Sequence, residues 1–279
     1  VGVKVLDQGG SGSFEEVMRG MEWTIDNKIT YNIRAASMSL GGAWLFELTQ
    51  EQEERVTHLA NEMVAAGISL MIAAGNSVGY GTIGTPGAAK DVITVGATDD
   101  NKDLAPYSSK GPTHEGQIKP NVAAIGSDVN SVIANSGNGY DEFSGTSMAT
   151  PIVAGMAALL LQANPDLQPL MIRTILESTS EFMWLSHPVR PSNDYGWGFV
   201  LMDTALNEAI KYDASLSINI SADTSIIYYE GNDTDGGNDT ASRFFVHENE
   251  KLFFDVEGNA SNLEWRNILI EDIWHSIDS

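Results

Sequence analysis

The 279-residue sequence predicts an α/β domain with a doubly wound, mainly parallel sheet over residues 1–212, followed by a small β-rich module over 213–279. Three observations predict it. Short apolar runs alternate with amphipathic helical stretches across short connections, the pattern of a parallel sheet covered by helices on both faces. The early helices carry start and stop signals in the right places. Beyond Asp213 the apolar period falls from 3.6 to two, which is the mark of strands.

The elements follow in order. Val3–Leu6 (VKVL) is a strand candidate. Ser13 opens a helix, with Glu16 three residues on as a capping box. Phe14, Val17, Met18, Met21 and Ile25 share one face of it. Arg34–Leu40 reads as a buried strand that ends at Gly41-Gly42. Thr49 and Gln52 form a second capping box. Val56, Leu59, Ala60, Met63 and Val64 line the helix behind it, and Gly67 is suited to stop it. Ile68–Ala74 and Val92–Thr98 are apolar strands. Met148–Ala163 is apolar nearly all round, which predicts a buried helix that Pro165 ends. Helices over about 167–178 and 202–212 follow. In the C-terminal module, Leu216–Ile220, Ile226–Tyr229, Phe244–His247 and Leu252–Val256 alternate as short strands. Between them, Glu230–Ser242 is an acidic, Gly-rich loop that fails the EF-hand spacing and reads as solvated.

Composition excludes several functions. The net charge is −23, and fifteen acidic against four basic residues from Thr204 onward supply almost half of it. Such a surface repels nucleic acid and anionic membrane. There are no cysteines, so disulfides and thiolate metal sites are absent. The longest apolar run, Pro151–Leu161, is too short for a transmembrane segment. Val1 and the Ile273–Ser279 stretch read as cut ends.

Two segments carry chemistry. In Phe143–Pro151 (FSGTSMATP), Ser147 stands at the start of a helix, after a glycine. A helix start fixes a hydroxyl in place and aims free N–H groups at developing negative charge. Taken alone, Gly-Thr-Ser there is also what an N-cap and a tight turn require. In Met71–Asn76 (MIAAGN), an apolar strand runs into Gly-Asn. Asn76 is either a turn former or an amide donor at the carboxyl end of a parallel strand, where ligands bind.

Taken together, these segments resemble the subtilase family of serine peptidases. Gly145-Thr146-Ser147-Met148-Ala149-Thr150-Pro151 is similar to its nucleophile motif, and Ala73-Ala74-Gly75-Asn76 to its oxyanion-hole strand. Val3–Leu6 with Gly10-Ser11-Gly12, Met38–Gly42, Tyr107–Pro112 with Lys119–Ala124, and Gly196-Trp197-Gly198 with Asp203 match in the family's order. The resemblance covers about residues 1–212 and implies a subtilisin-like fold lacking its N-terminal strands. It implies Ser147 as nucleophile and Asn76 as oxyanion donor, in an endopeptidase acting on protein or peptide substrates. Ser39, Leu40 and Gly41 would pair with substrate backbone, and with Ala73, Ala74 and Gly75 would wall the specificity pocket. Thr85-Pro86 sits where the family has a cis proline. No cofactor is implied for the chemistry, structural calcium is left open, and the setting implied is extracellular or the cell envelope.

The family's Asp and His motifs are not in the sequence. Of five histidines, His58, His114, His187, His247 and His275, none opens a Gly-rich helix motif. This chain alone is therefore expected to be inactive, and two strand edges, one of them on Val3–Leu6, are expected to lack partners. Asn121 and Ile152 depart from the family's usual Asp and His at positions outside its catalytic set. A non-catalytic peptide-binding relative and an exopeptidase of the same family remain as alternatives. Oligomeric state is not legible.

Overall fold

The structure, a computed structural model, describes residues 1–41, 50–134, 136–183 and 189–211, with the backbone of 217–222, 229–230 and 252–257. The chain divides into two compact units, Val1–Ile210 and Lys211–Ser279. The second contains an antiparallel sheet of β7 (Ser217–Ala222), β8 (Tyr229–Glu230) and β9 (Leu252–Glu257), in the order β8-β7-β9. Thr49, Phe244–His247 and His187, His247 and His275 lie outside the described residues.

The first unit is built on a four-stranded parallel sheet in the order β1-β2-β3-β4. Its strands are β1 (Ala35–Met38), β2 (Ser69–Ala73), β3 (Ile93–Thr98) and β4 (Val122–Ile125). Helices α1 (Phe14–Tyr31) and α2 (Gln50–Ala65) cover one face. Their apolar stripes (Val17, Met18, Met21, Val56, Leu59, Ala60, Met63) meet Leu70 and Ile72 of β2 in one buried cluster. Alternation along β2 decides this, since side chains i and i+2 share a face. The Ser13/Glu16 capping box is present, and Asn32 closes α1 in the left-handed conformation. Gly67 does the same after α2, at φ 88°.

Helix α3 (Thr146–Ala163) packs on all four strands. Thr146, Ala149, Thr150, Val153, Met156, Ala157 and Leu160 are buried beneath it. Burying a side chain such as Leu160 contributes about 1.5–3 kcal/mol. The expectation that this helix is buried all round is corrected, because Ile152 and Leu159 are 39% and 47% exposed. The sheet covers one side only, and among the described residues nothing covers the other. The helix is long and apolar enough to cross a membrane by composition, but its packed side places it on the sheet. Helices α4 (Pro169–Thr179) and α5 (Met202–Lys211) follow.

Val3–Leu6 is not a strand. It lies against α1, where Val5 closes on Gly20 so tightly that a Cβ there would sit 2.4 Å from a valine methyl. Apolar content alone does not make a strand, which needs a hydrogen-bonding neighbour. Among the described residues the outer edge of β1 therefore stands unpaired. The outer edge of β4 is covered: Ala123 N–H donates to Gly198 O (2.9 Å), and Val200 N–H donates to Ala123 O (3.0 Å). Trp197 N–H reaches Asn121 O at 2.7 Å, an approach that only glycine at 196 permits, since a Cβ would lie 2.1 Å from that oxygen.

Beside this joint lies a buried charge network. Lys119 is 1% exposed, and its Nζ donates to Val92 O (2.9 Å) and Asn121 Oδ1 (2.8 Å). Asn121 Nδ2 donates to Glu177 Oε1 (2.7 Å), which also receives Arg173 Nε (2.8 Å). Burial, with Arg173 adding repulsion, holds the Lys119 amine well below the ordinary lysine value; Glu177 and Asp91 oppose the shift. The unfolded chain thus binds a proton that the folded chain releases. Stability therefore rises with pH from the lowered folded pKa up to the ordinary lysine value near 10.4. Urea denaturation between pH 7 and pH 10 should show a positive slope that is reduced in Lys119→Met.

Candidate active site

The parallel sheet brings the carboxyl ends of β1 and β2 to the start of α3. Ser39, just beyond β1, donates from Oγ to Ser147 O at 2.8 Å, and Ser147 Oγ donates to Ser39 O at 3.3 Å. Asn76 lies just beyond β2, on the turn where Gly75 takes φ 107°.

Thr146 joins the two strand ends to the helix. Its N–H and its Oγ1 both donate to Asn76 Oδ1, at 2.9 Å and 3.1 Å. Its Oγ1 also accepts from Gly75 N–H at 3.2 Å. With its oxygen held twice, the Asn76 amide has only its Nδ2 donor left to offer outward. That nitrogen lies 3.4 Å from where a Cβ on Gly145 would stand, and the Ser147 backbone nitrogen lies 3.7 Å from the same point. Ser147 N–H is in the first turn of α3 and so has no carbonyl partner within the helix. Two donors thus flank one small space that stays open because residue 145 lacks a side chain. Met148 Sδ borders it at 3.6 Å. An oxygen bearing developing negative charge fits there.

The structure brings Ser147, Asn76, Ser39 and Gly75 together. Ala73 and Ala74 are buried at the end of β2. Leu40 packs against the cluster beneath α1 and α2, and Gly41 approaches Thr85 O, with a would-be Cβ 2.9 Å away. Thr85-Pro86 is cis. His58 is exposed on α2 and lies 3.3 Å from Glu62. Among the described residues no histidine or carboxylate hydrogen-bonds Ser147. They also contain no group of three or more His, Cys, Asp or Glu that could hold a metal ion. Sequence reading named Thr146 only as part of a motif. Its threefold role depends on β2 ending beside α3, which no local pattern states.

Thr146→Val keeps the volume and removes the hydroxyl, leaving the Gly75 N–H without its acceptor. The expected cost is about 1–3 kcal/mol, read as a lower urea midpoint with an unchanged slope.

Comparison with known proteins bears on the family and the fold. The model of the subtilase family matches residues 1–198. Serine protease AprX of Bacillus subtilis (strain 168) is 40% identical over 223 residues, 72% of this chain and 49% of that protein. Subtilisin DY of Bacillus licheniformis is 37% identical over 181 residues, 64% of this chain and 59% of its own length. Among solved structures, Sphericase matches with a TM-score of 0.60 and 30% identity, covering 71% of this chain and 66% of that one. A cold adapted subtilisin-like serine proteinase matches with a TM-score of 0.57, 30% identity and the same two coverages. The chain spans about half the length of the curated relatives it matches.

Proposed function

This chain belongs to the subtilase family of serine peptidases, and from that membership we propose that it carries the nucleophile half of an endopeptidase site. Ser147 Oγ attacks the substrate carbonyl. The carbonyl oxygen becomes an oxyanion held by Asn76 Nδ2 and the Ser147 N–H. The scissile C–N bond then breaks, the amine leaves with the proton that came from the Ser147 hydroxyl, and water hydrolyses the acyl-enzyme to the free acid and Ser147. The observation that carries this reading is the pair of nitrogens, Asn76 Nδ2 and Ser147 N, at 3.4 Å and 3.7 Å from the point that a Gly145 Cβ would occupy.

The hydroxyl proton needs a base. Ser147 Oγ here donates to a backbone carbonyl, which cannot take a proton, so the base comes from a polypeptide segment other than the described residues. The unpaired edge of β1, whose end reaches Ser147 through Ser39, and the exposed apolar side of α3 suit a strand and a helix carrying that base. Ser39, Leu40 and Gly41 pair with the substrate strand, which adds to the sheet edge. Ala73, Ala74 and Gly75 wall the pocket for the substrate side chain. The setting proposed is extracellular or the cell envelope, as the family resemblance implies. A second reading, a non-catalytic peptide binder, is favoured by one observation: the hydroxyl has no basic side chain among the described residues. Against it, a binder has no use for a paired oxyanion donor.

The test compares this chain with the longest natural polypeptide that contains it, using a peptide p-nitroanilide and a fluorophosphonate label. This chain alone should give no turnover above background. The longer polypeptide should hydrolyse the substrate and label at Ser147. Both activities should vanish in Ser147→Ala, and hydrolysis should fall steeply in Gly145→Ala, whose methyl fills the oxyanion space. Labelling without Ser147, or full turnover by Gly145→Ala, would overturn the assignment.

A further inference from the structure

The segment Tyr107-Ser108-Ser109-Lys110 places two serines side by side, both fully buried. A buried hydroxyl is costly unless it is hydrogen-bonded, so the partners of each say what it is for. Ser108 Oγ accepts from Ala97 N–H on β3 at 3.1 Å. It braces the middle of the sheet. Ser109 points its bonds elsewhere. Its backbone N–H donates to Gly75 O (2.9 Å), its Oγ accepts from Ser77 N–H (3.0 Å), and the same Oγ donates to Ser77 O (3.3 Å). The residues it holds are those immediately before and after Asn76.

Asn76 is thus fixed from two directions. Thr146 holds its amide oxygen, and Ser109 holds the backbone on each side of its Cα. The second hold matters because the turn is otherwise exposed, as Asn76, Ser77 and Val78 all face solvent. Gly75 adopts its positive φ directly over the Ser109 hydroxyl, and a Cβ on it would sit 2.8 Å from that oxygen. Exposed turns wander unless something buried ties them down. A donor displaced by even a fraction of an ångström loses strength at the point where charge develops.

We propose that Ser109 is a positioning residue for the oxyanion donor, acting through Asn76 by pinning the Gly75–Ser77 turn; this rests on the reading of Asn76 given above. Its effect falls on the transition state, because the ground-state substrate is held by Ser39–Gly41, Ala73 and Ala74, which Ser109 does not hydrogen-bond, and its one bond to the wall residue Gly75 comes from its backbone N–H, which substitution of the side chain keeps. The Ser109 hydroxyl therefore bears on kcat and leaves KM nearly unchanged. Removing two neutral hydrogen bonds that shape one catalytic donor predicts a loss of about tenfold.

The experiment measures kcat and KM on a peptide p-nitroanilide, with the longest natural polypeptide containing this chain. The variants are Ser109→Ala, Asn76→Ala, the double variant, and Ser108→Ala as the neighbouring buried hydroxyl with no path to Asn76. Expected are a roughly tenfold fall in kcat for Ser109→Ala with KM within twofold, no further fall when Ser109→Ala is added to Asn76→Ala, and wild-type kcat in Ser108→Ala. If Ser109→Ala does not accumulate as folded protein, Ser109→Cys, which weakens the same bonds without opening a cavity, should give a smaller fall with the same dependence on Asn76. Three results overturn the proposal alone: unchanged kcat in the Ser109 variants, a loss that adds in full to that of Asn76→Ala, or an equal loss in Ser108→Ala. Undiminished kcat in Asn76→Ala would instead overturn the reading on which the proposal rests.

Discussion

The site depends on one contact, the double donation from Thr146 to the amide oxygen of Asn76. It joins the end of β2 to the start of α3, two pieces of chain that are seventy residues apart. Everything catalytic in the proposed reading is set by that join. It leaves Asn76 with its N–H side facing outward, brings Gly145 and Ser147 under that donor, and satisfies the Gly75 N–H at a turn of unfavourable φ. A parallel sheet makes such a contact available because all its strands end on the same side, where the following helices begin.

The handling of charge is a second theme. The surface is strongly acidic, and the few basic residues are largely used for internal bracing. Lys119 and Arg173 tie β3, β4 and α4 together through Asn121 and Glu177. Lys110 pairs with buried Asp194 at 2.7 Å, and the same carboxylate accepts the Tyr80 hydroxyl, which pushes the Tyr80 phenol above its ordinary value. Arg34 donates to Pro165 O and Leu167 O, tying the start of β1 to the loop after α3. Each of these basic side chains meets carbonyls or a carboxylate that burial would otherwise leave costly.

Much of this was legible in the residues. Amphipathic periods and caps placed α1 and α2, and the apolar runs placed β2 and β3, because these features are local. β4 went unread as a strand because it has four residues and sits inside a motif. The exposed hairpin of β5 (Val129–Val132) and β6 (Tyr140–Phe143) went unread because its sequence is mostly polar. Val3–Leu6 was misread because a strand is defined by its neighbour. The depth of α3 was misread because composition says how apolar a helix is and not how much of it the sheet can reach. Ser147 and Asn76 were nameable from short motifs. Thr146 as a clamp and Ser109 as a brace were not, since their partners are 70 and 32 residues away.

Helix α3 has a consequence for how the molecule is made. It is the most water-averse helix among the described residues, with a composition that would suit a lipid bilayer. All four strands on which it packs lie before it in the chain. During synthesis the surface that receives this helix has therefore already left the ribosome when the helix emerges. Chain order alone keeps the interval short in which the helix is open to capture by chaperones, membranes or other nascent chains.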